Sequence, residues 1–184
     1  MEKIENLLLV GGSYRNVGKT HFIIKLINRF SQNNPIIGLK VKSIYNGDDK
    51  FHGRDWDNNK DNFRIIEENK TNTDDGGQML KAGAKKVFRI KTKIEYLPDA
   101  MEDFFNLVPR GTAIIAESNS IRKFFVPGLY IMIYGDNKKL YKPSAIKLSQ
   151  LADVNIYSDG KSFNISPENV NIDFINGKWD KSKI

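Results

Sequence analysis

The sequence predicts an α/β fold, a mostly parallel sheet with helices on both faces, and three observations point to it. Short apolar runs of strand type alternate along the chain with segments of helical period, and parallel strands need such crossovers. The first run, Leu7-Leu8-Leu9-Val10, is continuously apolar, the pattern of a buried strand. Directly after it a glycine-bearing loop opens an amphipathic helix whose Phe22, Ile23, Leu26, Ile27 and Phe30 share one face.

The remaining elements follow in order. Gln32-Asn33-Asn34-Pro35 ends the first helical period, and residues 36–41 read as a second strand. Residues 43 to about 73 form a polar excursion that parallel strands would place on the same sheet edge as the glycine loop. Within it, Phe63, Arg64, Ile65 and Ile66 read as a short strand that makes part of the excursion a hairpin. A short helix over 75–84 leads to a strand over 86–90. Pro98 suits the start of a helix over 97–108, where Ala100, Met101, Phe104, Phe105 and Val108 recur at helical spacing. Residues 112–116 are a buried-type strand ending at Glu117. A helical stretch over 120–125, a strand over 129–134, a helix over 144–152 and a strand over 154–157 complete the alternation. From Lys161 the chain is a polar tail with a small hairpin through 172–175. At 184 residues the chain suits one well-buried domain and is short for two, so a single domain over 1–184 is expected.

The net charge of +7 would suit a polyanionic partner, but its distribution argues otherwise. Lysines occur singly or as short pairs (Lys85-Lys86, Lys138-Lys139) among acids, without a basic run or a nucleic-acid-binding motif. A solvated face and attraction for a phosphorylated ligand are expected, and nucleic acid is not. The apolar stretch over 124–134 is broken by Pro127 and Gly128 and falls far below the ~20 residues that span a bilayer, so no membrane segment is expected. No secretory leader is recognisable at the amino terminus, and a cytoplasmic location is expected. The absence of cysteine excludes disulfides, thiolate metal sites and thiol nucleophiles.

Residues 11–20, Gly-Gly-Ser-Tyr-Arg-Asn-Val-Gly-Lys-Thr, have the layout of a phosphate-binding loop, which with its flanking strand and helix predicts a P-loop NTPase fold. Such a loop turns successive backbone N–H groups toward an anion at the positive end of a helix, and a lysine and a hydroxyl complete the cradle. Gly12, Ser13, Arg15, Asn16, Val17, Gly18, Lys19 and Thr20 are the predicted nucleotide-binding residues. The usual spacing puts a glycine five residues before Gly18, where Ser13 stands, so Gly11 and Gly12 suggest a first tight turn displaced by one residue. Lys19 is assigned to the terminal phosphates and Thr20 to Mg2+. Glu117, emerging at the carboxyl edge of the sheet, is the second metal residue; its alternative role is to cap the following helix through Asn119-Ser120. Arg15 reads as a solvated loop arginine, with phosphate contact or reach across a homodimer to a second nucleotide as alternatives. His21 reads as packed or solvated rather than as a base, because the helix dipole disfavours its protonated form. Asp48, Asp49, His52, Asp55 and Asp57 match no standard cation-binding loop and read as solvated.

Together the loop, a second strand ending near Lys42, the run from Asp75 to Ala82-Gly83-Ala84 before a strand, and the acid at Glu117 resemble the MobB adaptor family. These are small phosphate-loop proteins of molybdopterin-guanine dinucleotide biosynthesis. That family belongs to the broad class of the signal-recognition and nitrogenase-iron-protein NTPases, and the resemblance covers roughly residues 7–157. It implies that Asp75, seven residues before the alanine-glycine-alanine turn, faces the nucleotide phosphates; a helix amino-terminal acid is the equal alternative. The chain departs from the family where Ser43 rather than histidine follows Lys42, where His21 replaces a small hydroxyl residue, and in the length of the polar excursion.

The base is not specified. Asn137-Lys138 sits where related GTPases read guanine, but Leu140 stands where the required aspartate would be, so ATP and GTP both remain open. Residues 142–145 and 158–160 read as ordinary loops or as walls of a base pocket. The expected function is binding of a purine nucleoside triphosphate with Mg2+ and its slow hydrolysis, with Lys19, Glu117 and Asp75 as catalytic residues. The protein would act as an adaptor to a protein partner in a cofactor pathway. Two rivals stand beside it. One is a small-molecule kinase whose lid would use Arg54 and Arg64 of the excursion, and the other is a binding module without turnover.

Overall fold

The computed structural model describes residues 1–45, 61–70 and 74–182. Its main sheet has seven strands: β1 (Glu2–Gly12), β2 (Ile36–Ile44), β3 (Phe63–Glu67), β4 (Lys86–Lys93), β5 (Ala113–Glu117), β6 (Phe125–Gly135) and β7 (Val154–Ser158). They lie in the order β3-β4-β2-β5-β1-β6-β7, and every pairing is parallel except that of β3 with β4. The helices are α1 (Lys19–Ser31), α2 (Asp75–Lys81), α3 (Leu97–Leu107) and α4 (Pro143–Ser149).

The apolar run in β1 is continuous because both of its faces are covered. Leu8 and Val10 pack with Phe22, Ile23, Leu26 and Ile27 of α1 and Met79 of α2. Leu7 and Leu9 pack with Ala100, Met101 and Phe104 of α3 and with Ala145 and Leu148 of α4. Alternate side chains of one strand thus fill two cores, each fully buried leucine contributing about 1.5–3 kcal/mol. Chain connectivity leads from β1 to β2 and β4 on one side and through β6 to β7 on the other, so the strand order changes direction beside β1. Ligands of open α/β sheets sit in the crevice outside the carboxyl ends at such a point.

Several elements differ from the expectations. The strand over 129–134 extends to Phe125–Gly135, through Pro127 and Gly128; its pairing with β1 is irregular between Ile4 and Leu8, where proline is tolerated. The helical stretch over 120–125 is a single 3-10 turn, Ile121–Lys123, and the helix over 144–152 ends at Ser149. Among the described residues, the strand over 63–66 pairs antiparallel with β4 at the edge of the sheet.

The polar tail is part of the fold. Strands β8 (Ile172–Ile175) and β9 (Lys178–Lys181) form the expected hairpin, which buries Ile172 and Trp179 in the core on the α1 side. The Trp179 ring meets Phe30 edge-on with centroids 4.8 Å apart, and its indole N–H donates to the Asn6 carbonyl at 3.0 Å. Arg29 of α1 donates to the carbonyls of Pro167, Val170 and Ile172 at 3.3, 2.8 and 3.2 Å. Among the described residues no helix is long and apolar enough to cross a membrane.

Candidate functional site

At the carboxyl end of β1 the chain turns into α1 through residues 13–18, and two left-handed residues make the reversal: Asn16 at φ 60° and Gly18 at φ 95°. Asparagine tolerates this region, and glycine occupies it freely. Gly18 is the N-cap of α1, and no side chain caps that end, so the first-turn N–H groups lack the usual hydroxyl or carboxylate acceptor.

The expected displaced turn is not formed, because Gly11 and Gly12 both belong to β1. Ser13 takes the first position of the turn with no positive φ and is fully buried. Its N–H donates to the Ile133 carbonyl at 2.9 Å, its hydroxyl accepts from the Gly135 N–H at 3.1 Å, and its carbonyl accepts from the Lys142 N–H at 3.0 Å. Ser13 therefore anchors the turn to the end of β6. The glycine that close approach demands is Gly12, where a Cβ would stand 2.7 Å from Lys19 Cδ and 2.8 Å from Val17 Cγ1. Its bareness lets the lysine stem lie back across the end of the strand.

Three parallel strands converge on Glu117, because Val10 of β1 and Lys40 of β2 both stand in register with it. Glu117 is only 9% exposed, and its two oxygens meet three groups. The Thr20 hydroxyl donates to Oε2 at 3.0 Å, Lys40 Nζ lies 3.7 Å from Oε2, and Lys19 Nζ lies 3.8 Å from Oε1. Lys19 also donates to the Tyr14 carbonyl at 3.4 Å. Lys40 makes a second ion pair, with Asp75 at the start of α2. The helix-capping role goes to Asp74, whose carboxylate accepts from the Gly77 N–H at 2.8 Å, so Asp75 reaches back toward the loop.

Burial holds the Lys19 ammonium below the ordinary lysine value; Glu117 opposes the shift, and the charges of Lys142, Lys40 and Arg15 reinforce it. An anion placed against Lys19 would oppose this shift by its charge.

Two clefts adjoin at this point, one of 370 Å³ between the loop, Thr20 and Asp75, and one of 670 Å³ toward the ends of β2 and β5. Arg15, Lys19, Lys40 and Glu117 line both. Thr20 and Glu117 present adjacent hard oxygens at the smaller cleft, the donor set that a magnesium ion takes when phosphate and water complete its shell. Among the described residues no group of three or more histidine, cysteine, aspartate or glutamate side chains could hold a metal alone.

The structure thus gathers Gly12, Arg15, Asn16, Gly18, Lys19, Thr20, Asp75 and Glu117 around the two clefts, while Val17 is buried in the core beneath and Ser13 serves as the anchor. His21 lines the smaller cleft and stacks on Phe163, with centroids 6.1 Å apart. Arg64 pairs with Asp61 at 3.8 Å and lines neither cleft. Arg54 and the acids at 48–57 lie outside the described residues. Asn137 and Asp159 accept from backbone N–H groups of their own turns, as ordinary loop residues do.

Sequence reasoning missed two residues. Lys40 bridges the two acids, and an alternating strand pattern carried no sign of it. Asn119 accepts from the Gly12 N–H and donates to the Gly12 carbonyl, both at 2.8 Å, holding the end of β1 against the chain after β5. Its place two residues beyond Glu117 was the available signal. A scan against protein-family models, a search of curated proteins and a search of solved structures each found no match to the chain.

Proposed function

We propose that this chain is a P-loop protein that binds a purine nucleoside triphosphate with Mg2+ and hydrolyses it slowly. The observation that carries the reading is the bond from Thr20 to Glu117 at the mouth of a glycine-bearing loop that opens an uncapped helix. In this reading the triphosphate lies in the smaller cleft, against the loop amides and the positive end of α1. Lys19 neutralises its terminal oxygens, and Thr20 and Glu117 hold the metal directly or through water. Magnesium, when bound, supplies charge neutralisation across the terminal phosphates. Glu117 orients the attacking water, and Asp75 fixes the Lys40 ammonium beside the same phosphates. ATP and GTP both fit this description.

A second reading, phosphoryl transfer to a small-molecule acceptor, is favoured by one observation: the larger cleft opens directly onto Lys19, Lys40 and Glu117. An adaptor role in a cofactor pathway rests on the motif resemblance alone.

The test is a melting-temperature screen of ATP and GTP with Mg2+, followed by phosphate release. A ligand at a hundred times its dissociation constant adds roughly 2.7 kcal/mol of stability. Lys19→Ala should abolish the shift and leave the fold intact; an unchanged shift in a folded variant would refute the site.

A further inference from the structure

We infer that Lys40 is an internal competitor of the divalent ion: its ammonium stands on the Glu117 oxygen that the ion would take, and the triphosphate is what draws it away. This rests on the proposal that Thr20 and Glu117 hold the metal while the triphosphate lies in the smaller cleft.

The two oxygens of Glu117 are divided between two lysines. Lys19 Nζ lies 3.8 Å from Oε1, whereas Lys40 Nζ lies 3.7 Å from Oε2, the oxygen that also accepts the Thr20 hydroxyl at 3.0 Å. A divalent ion shared by Thr20 and Glu117 takes Oε2 as its carboxylate ligand and meets the Lys40 ammonium there. That ammonium has three donors and no lone pair, so it can repel the ion but cannot ligate it.

Lys40 is held in this position from two directions. The register of β2 with β5 sets it beside Glu117, and Asp75 at the start of α2 pairs with the same ammonium. Asp75 serves the lysine because Asp74 takes the helix cap. The hold is also releasable, since the Lys40 side chain is 29% exposed and that of Asp75 38%, and neither must leave the core to move.

A terminal phosphate offers the ammonium another partner. Its oxygens accept charge-assisted hydrogen bonds as a carboxylate does, and Thr20, Lys40, Asp75 and Glu117 all line the cleft assigned to the triphosphate. Lys40 can turn from Glu117 to the phosphate while keeping Asp75, which frees Oε2. Triphosphate and ion then favour each other's binding through one side chain, in addition to their direct attraction.

Mn2+ binding, followed by the electron paramagnetic resonance of the free ion, tests the competition, because Mn2+ prefers the same hard oxygen ligands. Without nucleotide, Lys40→Met should bind one Mn2+ about tenfold or more tighter than the parent does. The gain should vanish in Lys40→Met/Glu117→Gln. Lys40→Gln is the substitute if the methionine variant does not fold. Equal Mn2+ affinity in the parent and the Lys40 variant, or a gain that survives Glu117→Gln, refutes the competition. If nucleotide with Mg2+ raises the parent's melting temperature and no gain in Mn2+ affinity appears, the competition alone falls. If no nucleotide stabilises the parent but the gain appears and depends on Glu117, the phosphate-loop reading falls and the competition for a cation at Glu117 stands.

Discussion

The Thr20 hydroxyl donates to Glu117 Oε2 across 3.0 Å, tying the first turn of α1 to the end of β5 over 97 residues of sequence. Both groups are oxygen donors at the same cleft, and Lys19 and Lys40 approach the same carboxylate from either side. One acid thus serves a hydroxyl and two ammonium groups, and the predictions below follow from that arrangement and its supports.

Glu117→Gln keeps the shape and removes the charge. Nucleotide should still raise the melting temperature, because the loop amides and Lys19 remain. Phosphate release should fall by about 10²-fold, the usual scale for losing a general base or a positioned charge. A variant releasing phosphate at the parental rate would remove Glu117 from the mechanism.

Lys19 carries a pH signature. Its folded-state value lies below the ordinary lysine value, so between the two the unfolded chain binds more protons than the folded one. Stability contributed through this group therefore rises with pH across that window, and the ammonium weakens the ligand-free fold below it. Lys19→Met should be at least as stable as the parent at neutral pH, with its advantage shrinking as pH climbs toward 10. Urea unfolding of both proteins from pH 7 to 10 would show it; a gap that widens with pH would contradict the burial argument.

Gly12→Ala tests the close approach of the lysine stem. The added methyl would meet Lys19 Cδ at 2.7 Å and Val17 Cγ1 at 2.8 Å, so the lysine or the loop must shift. Overpacking of this kind costs about 1–3 kcal/mol. We expect that loss in urea unfolding together with loss of the nucleotide-induced melting shift.

Trp179→Ala should destabilise the whole fold by about 3–5 kcal/mol, since it empties a buried site against Phe30 and Phe174 and deletes the bond to the Asn6 carbonyl. A single unfolding transition moved to lower urea is expected. A change under 1 kcal/mol would mean that the hairpin is detachable.

The elements that were legible share a cause. The apolar run of β1, the face of α1 and the buried strand ending on Glu117 are written in local periodicity, which needs no knowledge of neighbours. The carboxyl-edge position of Glu117 followed because this acid closes a buried strand that was expected to run parallel to β1, as it does. The excursion strand was legible, but its pairing with β4 was not, since that partner is chosen by tertiary structure. The tail looked polar because its buried contribution is a few separated side chains, Val170, Ile172 and Trp179 among charges.

By itself the sequence determined the alternation of strands and helices, the loop that turns β1 into α1, and the identity of Lys19, Thr20 and Glu117 as groups at one edge. Tertiary structure alone decided that Lys40 stands in register with Glu117 and pairs with Asp75, that Ser13 anchors the turn to β6, and that Asn119 holds Gly12. The physical reason is range. Backbone propensity and periodicity act over a few residues, whereas these contacts join strands that are far apart in the chain and become neighbours only when the sheet sets their register.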